Sequence, residues 1–199
     1  MSKRRGATGV LLLAFTLIAA ACGDDDAATT SAAAAATTQA TATTEAPTPQ
    51  PAAIVVTSPA YGEGEGIPTE FTCVGAGTQP PYTLSGLPSE TMSIAVVMDS
   101  SGETTGTQEF PHWVQFDMPP ESEIPQDASE LGTLGSTIGA LGYAPPCPQG
   151  DNLRIYTLKV FAVDSLLGLD ERTGKAELLM ALEGRVVGYG ELTGEYSRP

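Results

Sequence analysis

The chain has 199 residues and a formal net charge of −15, with 24 acidic against 9 Lys and Arg side chains. That balance excludes a nucleic-acid partner, since phosphate backbones are held by Lys and Arg, and disfavours docking onto anionic lipid through surface charge. The length suits one domain with appendages, and 22 Gly and 16 Pro announce many turns.

Taken in chain order, the N-terminus reads as an export signal. Lys3, Arg4 and Arg5 form a basic segment, and Val10 to Ala21 is an apolar run of 12 residues. A membrane-spanning helix needs about 20, so residues 1–21 read as a cleaved leader. The run Ile18-Ala19-Ala20-Ala21-Cys22-Gly23 resembles a bacterial lipobox, which makes Cys22 the expected lipidated N-terminus. The expected location is the outer face of a cell membrane. Cleavage takes three positive charges and no acids from −15, leaving −18. Residues 22–53 are dominated by Ala, Thr, Ser and Pro and lack the large apolar side chains that offset ordering entropy. As a flexible tether they span about 30 Å.

Residues 54–199 are expected to fold as one domain. Strands are expected at Ile54–Thr57, Glu70–Val74, Tyr82–Leu84, Ser93–Met98, Trp113–Phe116, Arg154–Asp164 and Arg185–Leu192, from β-branched and aromatic residues and from alternation. Residues 121–142 are acidic and then Gly-rich, and read as a long loop. Thr173 is placed to cap a helix over Gly174–Glu183, with Leu178, Leu179 and Leu182 on one face and Gly184 as its stop. The fold class is therefore mainly β. The central stretch is Glu109-Phe110-Pro111-His112-Trp113-Val114, which carries the single His and single Trp of the chain. Strand alternation points Trp113 into the core and His112 to the opposite face, toward a pocket or solvent.

Setting Cys22 aside leaves Cys73 and Cys147, an even pair in an exported chain, and a disulfide is expected. Two buried free thiols are the alternative. One His and no nucleophile motif argue against an enzyme with a hydrolytic triad, and no zinc-type spacing is present. No catalytic residue, metal ligand or cofactor is expected.

Ile67-Pro68-x-x-Phe71-Thr72-Cys73, Leu87-Pro88, Ser93–Asp99, Pro111-His112-Trp113-Val114, Gly142-Tyr143-x-x-Pro146-Cys147-Pro148, Tyr156 with Val160–Asp164, and Leu192-x-Gly194-x-Tyr196 occur in the order found in phosphatidylethanolamine-binding proteins. Residues 54–198 resemble that family, and within it the bacterial YbhB/YbcL branch. The resemblance implies a large central sheet packed on a smaller one, with one or two peripheral helices. It also implies a small anion pocket that accepts phosphate-like groups, and a possible role as an inhibitor of a kinase or protease. Carried over by position, it places Asp99, His112, Arg154 and Tyr156 in that pocket, with Tyr143 and Pro146 on its rim and the Cys73–Cys147 pair beside its mouth. Departures are visible. Ser100 and Ser101 replace a Pro and a second Asp, Pro145 removes a backbone donor, and Arg154 stands where the family has a second His. The expected chemistry has Arg154 as a permanent cation, Tyr156 as a hydroxyl donor, and His112 donating when protonated, its pKa raised by Asp99 on its other ring nitrogen. A closed Asp99–Arg154 pair is the competing arrangement.

Overall fold

A computed structural model describes residues 50–102 and 109–199. The leader, Cys22 and nearly all of the tether lie outside the described residues. In chain order the strands are β1 (Ala52–Ala53), β2 (Val55–Thr57), β3 (Glu65–Gly66), β4 (Tyr82–Ser85), β5 (Ser93–Gly102), β6 (Phe110–Met118), β7 (Glu123–Ile124), β8 (Thr133–Leu134), β9 (Arg154–Val163) and β10 (Val186–Tyr196), with one α-helix, α1 (Lys175–Leu182), among the described residues. The large sheet runs β1-β10-β9-β5-β6-β8, with β3 also on β10, and a small sheet runs β2-β4-β7. Its central pairings, β10–β9, β9–β5 and β5–β6, are antiparallel. This is the two-sheet, mainly β architecture expected from the sequence. The large sheet also takes in Ala52 and Ala53, which the sequence reading assigned to the tether.

Alternation along β5 and β9 builds a core on each face of the large sheet. Ile94, Val96, Met98, Leu158, Val160 and Ala162 pack toward the small sheet, against Val56, Tyr82 and Leu84. Ala95, Val97 and Val163 face the other way, with Val114 and Phe116, and are covered by Leu178 and Leu182 of α1. A helix of 8 residues is too short to persist alone in water. Burying Leu178 and Leu182, the two of its three leucines that are buried, supplies about 1.5–3 kcal/mol each.

Three local expectations are corrected. Glu70–Val74 is not a strand: Thr69–Phe71 is a 3-10 turn, and the chain doubles back so that Gly75 N–H reaches Thr72 O and Gly77 N–H reaches Glu70 O. A Cβ on Gly75 would overlap the Thr69 carbonyl and lie 2.5 Å from Glu70 Cα, so glycine permits the reversal. Thr173 does not cap α1. Its hydroxyl donates to Asp170 O at 2.7 Å and Gly174 takes the N-cap position, while Gly184, at φ 73°, follows the helix end as expected. Residues 121–142 are more than a loop. They contribute β7, β8 and a 3-10 turn at Ala128–Glu130, and Gln115 Nε2 donates to Ala128 O at 2.7 Å and to Leu131 O.

Candidate functional site

β5 and β6 fall out of register between Met98 and Asp99: Met98 pairs with Trp113, but Asp99 pairs with Pro111. His112 is the extra residue of a β-bulge, a device that re-aims a side chain. The expected opposition of His112 and Trp113 is thereby cancelled. Trp113 packs in the core against Tyr82 and Tyr143, and His112 turns to the same side of the sheet, its ring edge-on to Tyr156 with centroids 5.0 Å apart.

The bulged His112 closes one end of a cavity of about 150 Å³ lined by Ser100, Phe110, His112, Ile138, Cys147, Pro148, Gln149, Arg154 and Tyr156. Ser100 and Tyr156 are neighbours across the β5–β9 ladder. Arg154 sits at the start of β9, its guanidinium carbon 5.9 Å from the centre of the Phe110 ring. The loop 145–149 forms the facing wall and is held by the Cys73–Cys147 disulfide, Cα–Cα 5.4 Å, as expected, and by Cys73 N–H to Pro146 O at 3.1 Å. Of residues 145–148 only Cys147 has an amide hydrogen, because the others are prolines.

Both ring nitrogens of His112 are occupied. Nδ1 lies 2.9 Å from Ala144 O and Nε2 lies 3.0 Å from Ser100 Oγ. A carbonyl only accepts, so Nδ1 carries the proton and, in the neutral ring, Nε2 accepts the Ser100 hydroxyl. Burial holds the His112 pKa below its ordinary value of 6.5. The Ala144 carbonyl opposes this, Arg154 adds to it, and the charge of Asp99 opposes it. The Tyr156 hydroxyl differs in kind. It is buried and has no hydrogen-bond partner among the described residues. Its pKa is pushed up to about 12 by burial, against the pull of Arg154 and with Tyr196 adding to the rise, so it remains a donor at all physiological pH.

The expected ligand set is brought together in part. His112, Arg154 and Tyr156 line one cavity; Asp99, Tyr143 and Pro146 do not. Asp99 projects from the other face of the sheet, because Ser100 points inward and neighbours in a strand alternate. There it meets Lys159 Nζ at 3.1 Å and Lys175 Nζ at 2.7 Å, and Glu109 completes the cluster. It therefore neither bonds His112 nor pairs with Arg154, and the expected rise in the His112 pKa is replaced by a fall. Tyr143 donates to Phe71 O at 3.0 Å and borders a separate cavity with Trp113 and Gln115. Pro146 is buried behind the wall, its carbonyl taken by Cys73. Sequence reasoning missed Ser100, Phe110, Ile138, Pro148 and Gln149. Alternation from Met98 would have found Ser100; Ile138 arrives on a loop with no periodicity to follow.

The His112 environment fixes the sign of a stability effect. The unfolded chain takes up a proton near pH 6.5 while the folded chain resists, so stability is full above pH 6.5 and is lost as pH falls from there toward the lowered folded value. In urea unfolding between pH 7.5 and 5.5, the wild type should lose more stability than His112→Gln. Parallel losses in the two proteins would contradict this account.

Comparison with known proteins agrees with the fold. Residues 57–197 match the family model for phosphatidylethanolamine-binding protein. A UPF0098 protein of Pyrococcus horikoshii is 35% identical over 151 residues, covering 71% of this chain and 75% of its own. One of Chlamydia muridarum is 32% identical over 148 residues, covering 72% and 98%. Among solved structures, a phosphatidylethanolamine-binding protein homologue from Chlamydia trachomatis superposes with a TM-score of 0.67 at 28% identity, over 74% of this chain and 99% of that one. YbcL of E. coli, described as a member of the mammalian family, gives 0.65 at 25% identity, over 73% and 99%. The chain belongs to the phosphatidylethanolamine-binding protein family. Its relatives in sequence carry the UPF0098 name, and YbcL is among its structural neighbours.

Proposed function

We propose that this protein is a binding protein, not an enzyme, whose cavity between β5, β6 and β9 holds a small oxyanion such as a phosphoryl group. The observation that carries this reading is Tyr156, which lines the cavity with Arg154 and whose hydroxyl is buried without a partner among the described residues. An unsatisfied buried hydroxyl costs about 1–3 kcal/mol, and an anion lying between it and the guanidinium removes that cost. Arg154 has no carboxylate within ion-pair distance among the described residues, so its charge is available to a ligand. The lipobox-like run at Cys22 and the Ala/Thr/Pro tether add a location: the domain is held at the outer face of a membrane by a lipidated Cys22. If Cys22→Ser leaves partition into detergent unchanged, the anchor is wrong.

Titration with inorganic phosphate, followed through the His112 and Tyr156 ring signals, tests the site. The wild type should show saturable shifts with a Kd on the order of millimolar. Arg154→Ala should weaken binding at least tenfold, and Arg154→Lys should restore part of it, since Lys keeps the charge but not the fork. No shift at tens of millimolar would overturn the reading.

A further inference from the structure

We infer that this site discriminates by charge: it takes singly charged oxyanions carrying a small apolar substituent and rejects dianions. The inference rests on the oxyanion reading above and narrows it to a ligand class.

The charge count around the cavity is the first ground. Among the described residues, Arg154 is the one permanent cation in its lining. Lys159 and Lys175 are committed to Asp99 and Glu109 on the opposite face of the sheet. His112 has both ring nitrogens occupied, its Nδ1–H on Ala144 O and its Nε2 on the Ser100 hydroxyl, and burial and Arg154 oppose a second proton against the opposing pull of the Ala144 carbonyl and Asp99. The groups facing its ring are Ser100 from β5 and Arg154 and Tyr156 from β9, with Asp99 acting only through the sheet. Neither ring nitrogen is free to donate to a ligand, and the Ser100 proton is already spent on Nε2. The donors left among the lining side chains of β5, β6 and β9 are the Arg154 fork and the Tyr156 hydroxyl, which together match one negative charge.

Depth turns that count into selectivity. Ser100, His112 and Tyr156 are 1%, 5% and 0% exposed, so the inner end of the cavity is poorly solvated. A monoanion there is neutralised by Arg154. A dianion leaves one uncompensated negative charge away from water, which is costly, in a protein whose net charge of −15 already repels it at long range. The outer walls supply the second half of the class. Phe110 and Ile138, 38% and 47% exposed, stand at the mouth, presenting apolar surface next to the cation, with the buried Pro148 behind them in the lining. A volume of about 150 Å³ is about that of an engineered core cavity that admits benzene, enough for an oxyanion head and a few carbons. Phosphodiesters and carboxylates share this chemistry.

Dimethyl phosphate, methyl phosphate and butyrate, titrated into the wild-type protein at pH 5.5 and 8.0, separate the possibilities. Dimethyl phosphate and butyrate keep one charge throughout, whereas methyl phosphate passes from monoanion to dianion near pH 6. The ratio of the methyl to the dimethyl phosphate Kd should rise at least tenfold from pH 5.5 to 8.0; any protonation of His112 itself acts on both ligands and cancels to first order. Binding by either dimethyl phosphate or butyrate supports the class, and the tighter of the two identifies the head group. Ser100→Ala, which frees Nε2 to take a proton alongside a dianion, should narrow the pH 8.0 ratio at least threefold. A ratio that stays flat or falls with pH in the wild type would overturn the charge selectivity while leaving the oxyanion site intact. Failure of all three ligands to bind at tens of millimolar would overturn both.

Discussion

Replacing Cys73 and Cys147 with Ser should cost the domain about 4 kcal/mol. The bridge joins positions 74 residues apart, and the loop-entropy relation for a loop of that size gives roughly 4–5 kcal/mol. For a domain of this length that is a fall in Tm on the order of 10 °C. The bridge is also the staple between the reversed turn at 70–77 and the loop at 145–149. Cys147 lines the cavity and is exposed, with Cys73 half-buried. The double variant should therefore lose anion affinity along with stability, because Pro148 and Gln149 follow Cys147 directly in the cavity wall. Denaturant unfolding of the wild type with and without reductant, beside the double Ser variant, checks the first part. Coincident midpoints would show that the bridge does not restrain the chain.

How much of this was legible in the sequence depends on what each residue answers to. β5 and β9 were legible for different reasons: β5 is a continuous apolar run, buried on both faces from Ile94 to Met98, whereas β9 alternates buried with half-buried positions. The 70–77 reversal was not. A run of Phe, Thr, Cys and Val carries strand propensity, but the turn is set by Pro68 before it, by Gly75 and Gly77 after it, and by a disulfide from 74 residues away. Propensity is a weak prior against constraints of that range.

The site was legible by residue type more than by direction. His112, Arg154 and Tyr156 were expected to meet, and they do. Asp99 was assigned by motif position, yet strand alternation argues the other way: Met98 packs into the inner core, so Asp99 must point outward and Ser100 inward. For His112 the reverse holds. Alternation sets it opposite Trp113, and only the register shift against β5 brings both to one side. A bulge is a property of two strands paired, and a single strand's sequence does not announce it.

The same bulged strand carries the largest single-residue effect expected in the protein. Trp113 is 1% exposed, stacks on Tyr82 with ring centres 6.0 Å apart and meets Tyr143 edge-on at 6.1 Å. Its indole N–H donates to Gln115 Oε1 at 2.9 Å, and that orients the Gln115 amide so that its nitrogen can hold the carbonyls of Ala128 and Leu131. Trp113 is thus both a core side chain and the first link in the chain that pins residues 121–134 to the large sheet. Trp113→Ala should cost about 3–5 kcal/mol from the lost burial and the void, with a further ~1–3 kcal/mol from the stranded Gln115 oxygen. Trp113→Phe keeps most of the apolar contact and loses only the N–H, so its cost should be confined to that second part. The two variants should share one local symptom, faster proteolytic cleavage within 121–134, and differ widely in global unfolding midpoint. Equal midpoints would mean that the void contributes little and the hydrogen-bonded chain dominates. Protection of 121–134 unchanged in both would mean that Gln115 holds its carbonyls without help from Trp113.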